Sequence, residues 1–147
     1  MGNRRRGFTL AELIVGVVVM IVTLGVATMS LRSMDQTAKR ETERLVAYIY
    51  RQMDKAERIH AIFTLLIDKT AVQIKWNSYT DWEIEHRASD GCTYEDNYGT
   101  KSITYKPTNK MFVPGHITVS GPNGDTYYVI LAGINEGRVR ISDTPPD

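Results

Sequence analysis

The chain has 147 residues and a formal net charge of +1, from 18 Lys and Arg against 17 Asp and Glu. That length holds one domain of ordinary size plus an N-terminal segment, and a single cysteine excludes both an internal disulfide and a cysteine-built metal cage. The charge is unevenly spread: setting aside Arg4, Arg5 and Arg6 leaves 15 basic against 17 acidic residues, a balance that exerts no global pull on nucleic acid.

The first element is an apolar run that opens Phe8-Thr-Leu-Ala-Glu12 behind the basic start Met1-Gly-Asn-Arg-Arg-Arg-Gly7. From Leu13 to Leu31 no residue is charged. An ordinary secretory signal has a shorter apolar stretch and a small-x-small cleavage site, and neither is found here. A signal-anchor helix fits the length, since about 20 apolar residues span a bilayer, and the arginines would stay on the cytoplasmic side. It leaves Glu12 unexplained. A carboxylate in an apolar membrane segment costs roughly 2.5–3.5 kcal/mol at the helix centre and less near the interface.

Arg-Gly-Phe-Thr-Leu-Ala-Glu-Leu-Ile-Val resembles the prepilin leader of type IV pilins and type II secretion pseudopilins. The resemblance implies cleavage after Gly7 by a prepilin peptidase, N-methylation of the new N-terminal residue Phe8, and an assembly role for Glu12, the fifth residue of the mature chain. A cationic amine at Phe8 and a carboxylate four residues on form a pair within one chain or between stacked chains. Such a pair sets register better than it adds stability, because its desolvation cost is high and the cost of losing one partner is higher.

After Arg32 the pattern becomes one-sided. Ala38, Thr42, Leu45, Ile49, Met53, Ala56, Ile59 and Phe63 recur at spacings of three or four, with charged residues on the other faces. Glu41 with Arg44, and Asp54 with Arg58, stand at ion-pair spacing. A stem helix is expected from Phe8 to Phe63, apolar over 8–31 and amphipathic over 32–63. No proline precedes Pro107, so the stem has none, a departure from the many pilins that carry one within it. Gly16 and Gly25 are either contact points between helices or merely tolerated.

Beyond residue 64 the period shortens. Val72, Ile74 and Trp76 alternate with polar residues, as do Trp82, Ile84 and His86, and Asn77-Ser-Tyr-Thr80 reads as their hairpin. A polar loop is expected over 88–100, with strands at Ser102–Lys106, Ile117–Ser120, Tyr127–Leu131 and Arg138–Ile141, and a turn at Gly121-Pro-Asn-Gly124. The predicted fold is α+β: a long N-terminal helix packed on an antiparallel β-rich head over 64–142, with a tail at 143–147. The leader is 1–7.

The closing segments Gly115-His-Ile-Thr-Val-Ser-Gly, Tyr127-Tyr-Val-Ile-Leu and Gly137-Arg-Val-Arg140 resemble the H-type pseudopilins and FimT-like minor pilins. That resemblance implies a minor subunit of a secretion pseudopilus or pilus. Its partners would be other pilin subunits, prepilin peptidase, an inner-membrane assembly platform and secretion cargo. The alternative it implies is a minor pilin binding DNA through Arg138 and Arg140, which in a strand share one face while Val139 points to the core.

No catalytic constellation stands out, and no cofactor or metal is expected. His60, His86 and His116 lack ligand spacing. Asp90, Glu95, Asp96 and Asn97 read as a solvated acidic loop with calcium binding as the competing reading. Cys92 is an unpaired packing residue or a link between chains. Trp76, Trp82, Tyr127 and Tyr128 read as sheet and core residues.

Overall fold

The computed structural model describes residues 10–34, 37–77, 81–99, 102–131 and 139–146, with side chains described outside 27–34. Two compact units emerge, Met1–Met34 and Asp35–Asp147. The first contains helix α1, Leu10–Met34. The second is an α+β head: helix α2, Thr37–Ile59, followed among the described residues by nine strands.

The predicted stripe forms the buried side of α2. Ala38, Thr42, Leu45, Ile49, Met53 and Ala56 are buried, and Tyr48, Glu41 and Gln52 join them. The helix ends four residues short of the expected Phe63. His60 takes a left-handed φ of 52°, and the Ala61 amide donates to the Ala56 carbonyl at 3.1 Å, which closes a Schellman cap. Ile59 is therefore 55 % exposed, and Phe63 opens the first strand instead.

The strands are β1 Phe63–Asp68, β2 Ala71–Trp76, β3 Glu83–Arg87, β4 Thr93–Asp96, β5 Ile103–Lys106, β6 Met111–Phe112, β7 Gly115–Ser120, β8 Thr126–Leu131 and β9 Val139–Ser142. They form two antiparallel sheets, ordered β3-β2-β1-β5-β6 and β4-β7-β8-β9. The four expected C-terminal strands are present within a few residues of their predicted limits. Strand β4 falls inside the expected loop, because Tyr94 is buried while its neighbours Thr93 and Glu95 remain exposed. The hairpin residues 78–80 lie outside the described residues, but β2 and β3 pair antiparallel as expected.

Both sheets and α2 share one hydrophobic cluster. Its aromatic centre is Phe63, with ring centroids 5.4 Å from Trp76 and 5.3 Å from Tyr105. The Tyr94 amide donates to the Lys69 carbonyl at 2.8 Å, tying the second sheet to the β1–β2 turn of the first. Tyr50 of α2 closes the outer edge of β9: its hydroxyl donates to the Val139 carbonyl at 3.1 Å and accepts from the Val139 amide at 3.3 Å. That contact blocks the pairing groups of an edge strand.

His60 holds a backbone conformation that costs a side-chain-bearing residue roughly 1–2 kcal/mol. His60→Gly is expected to raise the thermal midpoint, with a gain of about 0.5–1 kcal/mol after the extra unfolded-state entropy of glycine. A lower midpoint in thermal unfolding would contradict the capping account.

Candidate functional site

Helix α1 is apolar around its whole circumference. Leu10, Leu13, Ile14, Val17, Val18 and Ile21 are all at least 49 % exposed. A helix of this kind is stable only when lipid or other helices cover it. Glu12 stands in its first turn, where the helix dipole favours a carboxylate. The Thr23 hydroxyl donates back to the Val19 and Met20 carbonyls at 2.9 and 3.0 Å, so it needs no partner outside the helix. Gly16 has no atom within 4 Å of the place a Cβ would occupy. Among the described residues no helix is long and apolar enough to cross a membrane. The described side chains of α1 stop at Val26, while the uncharged sequence continues to Leu31. Gly7 and Phe8 lie outside the described residues.

The second concentration of chemistry is in the head, and the sequence pattern did not reveal it. Glu41, read as part of a charged face, is fully buried on α2. Pairing between β2 and β3 steps from Val72↔His86 to Gln73↔Ile84 and leaves Glu85 as an extra residue, a β-bulge. The bulge turns both Glu85 and His86 toward α2. Glu85 Oε2 accepts from Gln52 Nε2 at 2.9 Å and from the Tyr48 hydroxyl at 3.4 Å. His86 Nε2 lies 3.0 Å from Glu41 Oε1 and 3.0 Å from the Tyr94 hydroxyl. A carboxylate only accepts, so Nε2 carries the proton. Tyr94 also donates to Oε1, while Oε2 accepts from the Ser89 hydroxyl, from the Ser89 amide at 3.2 Å and from Arg44 at 2.7 Å. The His86 ring stacks on Tyr48 with centroids 5.1 Å apart.

Burial pushes the Glu41 carboxyl up, but the donors His86, Ser89 and Tyr94 and the Arg44 guanidinium outweigh it and hold the group at about 2. Burial and the Glu41 charge push the Tyr94 phenol far above its ordinary value. Glu41 is therefore ionised and Tyr94 protonated across the physiological range. Ser89 and His86 both donate to the same carboxylate. A nucleophile–base–orienter relay would instead chain them one to the next. The cluster ties α2 to β3, to the loop after it and to β4.

The remaining sequence-predicted residues are spread out. Arg140 on β9 is exposed at the rim of an open cavity of about 400 Å³ that also involves Asn97 and His116. Val139 beside it is buried as expected, whereas Arg138 lies outside the described residues. His60, His86 and His116 stand on separate elements, and among the described residues no three metal-ligating side chains converge. In the acidic segment, Asp96 Oδ1 accepts from the Tyr98 amide at 2.9 Å and Asn97 Oδ1 from the His116 amide at 2.8 Å. Cys92 is buried, and its thiol is pushed up by burial and by the charges of Glu41 and Asp125. Trp76 is buried, while Trp82 is 40 % exposed.

Residues 2–28 match the prokaryotic N-terminal methylation motif. The match takes in the Gly7-Phe8 junction, Glu12 and most of α1. It is a type IV pilin-like prepilin signal and supports membership of the pilin and pseudopilin family. The motif supports a type IV pilin-like substrate of prepilin peptidase, and such a motif implies a membrane-anchored subunit that assembles with pilin subunits. Neither a curated protein nor a solved structure matches the chain.

The Glu41 cluster has a mechanical reading: it fixes α2 to β3, β4 and the loop between them. Glu41→Gln is expected to cost roughly 3–5 kcal/mol, as for a broken buried pair. Arg44→Ala should cost under about 1 kcal/mol, because Arg44 is 57 % exposed. A depressed carboxyl contributes stability above its ordinary value of 4.5 and loses it as pH falls toward about 2. Thermal unfolding between those pH values should therefore show a steeper loss in wild type than in Glu41→Gln. Equal slopes would contradict the assignment.

Proposed function

We propose that the protein is a minor pseudopilin or minor pilin of the H-type and FimT-like group, a structural subunit rather than a catalyst. The observation that carries this reading is the methylation motif over 2–28 leading into an all-round apolar helix, followed by a head. In this reading the segment 8–31 sits in the bacterial inner membrane and the head stands outside the cytoplasm. Prepilin peptidase cuts after Gly7, Phe8 is N-methylated, and the chain is drawn from an inner-membrane assembly platform into a filament. The antiparallel run β7–β8–β9 supports the H-type and FimT-like placement, since it spans the segments that resemble that group. The head would meet secretion cargo or other subunits.

Glu12 is the assembly residue in this account. Once the leader is removed, the Phe8 amine and the Glu12 carboxylate form a pair that outlasts removal from lipid, and its geometry sets the axial register of an incoming subunit. An uncompensated carboxylate in that apolar setting is strongly unfavourable.

Co-expression with a prepilin peptidase should give a chain beginning at methylated Phe8, read by intact mass and N-terminal sequencing. A chain that still begins at Met1 would sink the proposal. Glu12→Ala should be cleaved normally yet enter filaments at least about tenfold less well, the effect of losing roughly 1.4 kcal/mol or more from each subunit contact. Wild-type incorporation would remove the register role.

A further inference from the structure

The outer face of the β3-β2-β1-β5-β6 sheet gathers exposed large apolar side chains of the head. Leu66, Gln73 and Ile84 stand in one row across β1, β2 and β3, and Thr104, Thr64 and Lys75 in the next row across β5, β1 and β2. Their alternate neighbours Phe63, Leu65, Val72 and Ile74 form the buried side of the same strands. Trp82 lies against the second row, with Lys75 Nζ 5.7 Å from the centre of its ring. Beyond β5 the face runs into an open cavity of about 270 Å³, whose lining includes Thr104, Lys106, Met111 and Val113. Leu66, Trp82, Ile84 and Val113 are all 37–49 % exposed.

The same face carries a basic surplus. By register Lys75, Arg87 and Lys106 belong to it, against the single acid Asp68. Among the described residues none of these three cations forms an ion pair. The acids of β3 are turned away from the face: Glu83 stands opposite the buried Ile74, and Glu85 reaches Gln52 of α2 at 2.9 Å. The outer face of the other sheet differs in both respects. Thr118, Ser120, Thr126 and Ser142 line it, its charges Glu95 and Arg140 cancel, and its large apolar side chains Tyr128 and Ile130 are half-buried.

We infer that the outer face of the β3-β2-β1-β5-β6 sheet rests on an anionic lipid surface, that of the bilayer holding the segment 8–31. A tryptophan beside a lysine, flanked by aliphatic side chains, suits the boundary between headgroups and acyl chains. There Trp82, Leu66, Ile84 and Val113 leave water, while the stems of Lys75 and Lys106 follow the apolar surface and their ammonium groups reach lipid phosphates. A neutral partner would leave the basic surplus unmatched, and a nucleic acid would match it but leave the aliphatic side chains in water. The affinity required is small, because the chain itself tethers the head beside the bilayer. Residues 32–36 separate Leu31 from Thr37 and span at most about 20 Å, so the lipid surface stays at high effective concentration. The inference rests on the membrane placement proposed above and adds a resting position for the unassembled head, one that a subunit leaves as it enters a filament.

The test uses the full chain in phosphatidylcholine vesicles, with and without phosphatidylglycerol, built with brominated acyl chains that quench nearby tryptophan. Trp76 is buried in the core, so the difference between wild type and Trp82→Phe isolates the Trp82 signal. That signal should be quenched in the vesicles with phosphatidylglycerol and far less in phosphatidylcholine alone. K75Q/K106Q should lower the docked-to-free ratio at least about fivefold, the effect of one basic residue near an anionic surface, and K75R/K106R should retain it. Resistance to alkaline extraction in the same vesicles shows whether 8–31 is inserted, so a failure of the membrane placement is read separately. An inserted chain whose Trp82 signal is unquenched, is quenched equally without phosphatidylglycerol, or is unchanged in K75Q/K106Q would overturn the inference. A Trp82 signal that changes as added lipid dilutes the chain would assign the face to a second copy and overturn it as well.

Discussion

The head is organised around one carboxylate that has no access to water. Glu41 lies on α2 with zero exposure and accepts from five donor groups on four side chains and one backbone amide drawn from three places in the chain. A buried charge is tolerated only when donors inside the protein replace its hydration. The β3 bulge, the loop carrying Ser89 and the burial of Tyr94 all serve that requirement. Without Glu41, the bulge would leave His86 Nε2 only the Tyr94 hydroxyl as an acceptor.

This arrangement separates two kinds of stem. Helix α1 is uniformly apolar and depends on surroundings that the isolated chain does not supply. Helix α2 is committed to its own head on one side, through packed side chains along its length and the polar ties of Glu41, Gln52 and Glu57, the last accepting from Tyr105 at 2.9 Å.

The two glutamates sit in opposite settings. Glu12 borders an apolar run in the first turn of α1. Glu41 has all of its partners inside one chain. The first stands out in the sequence because a carboxylate at the edge of a membrane-length apolar run is conspicuous. The second was hidden. Glu41 sits next to Thr42 in a region of alternating charge, and spacing pairs it with Arg44, which is correct but places it on the wrong face. The contacts with His86, Ser89 and Tyr94, 45 to 53 positions away, show why it is buried.

The same contrast holds for the fold. The period change from three or four to two separated helix from sheet, and the stripe from Ala38 to Ala56 gave the buried face of α2. The helix end escaped notice because its cap uses His60, where glycine or proline would have marked the stop. Strand β4 was masked by the polar residues that flank Tyr94, and the alternation through Trp82, Ile84 and His86 broke at a bulge. At β4 and at the bulge a tertiary contact overrode the local pattern, whereas the helix end is a local cap.

The most direct test of the Glu41 account is hydrogen exchange on the full-length chain in lipid bilayers, wild type against Glu41→Gln. The account predicts faster exchange together in the first half of α2, in β3 and in β4, with α1 unchanged. Faster exchange confined to the first turn of α2, or shared with α1, would contradict it.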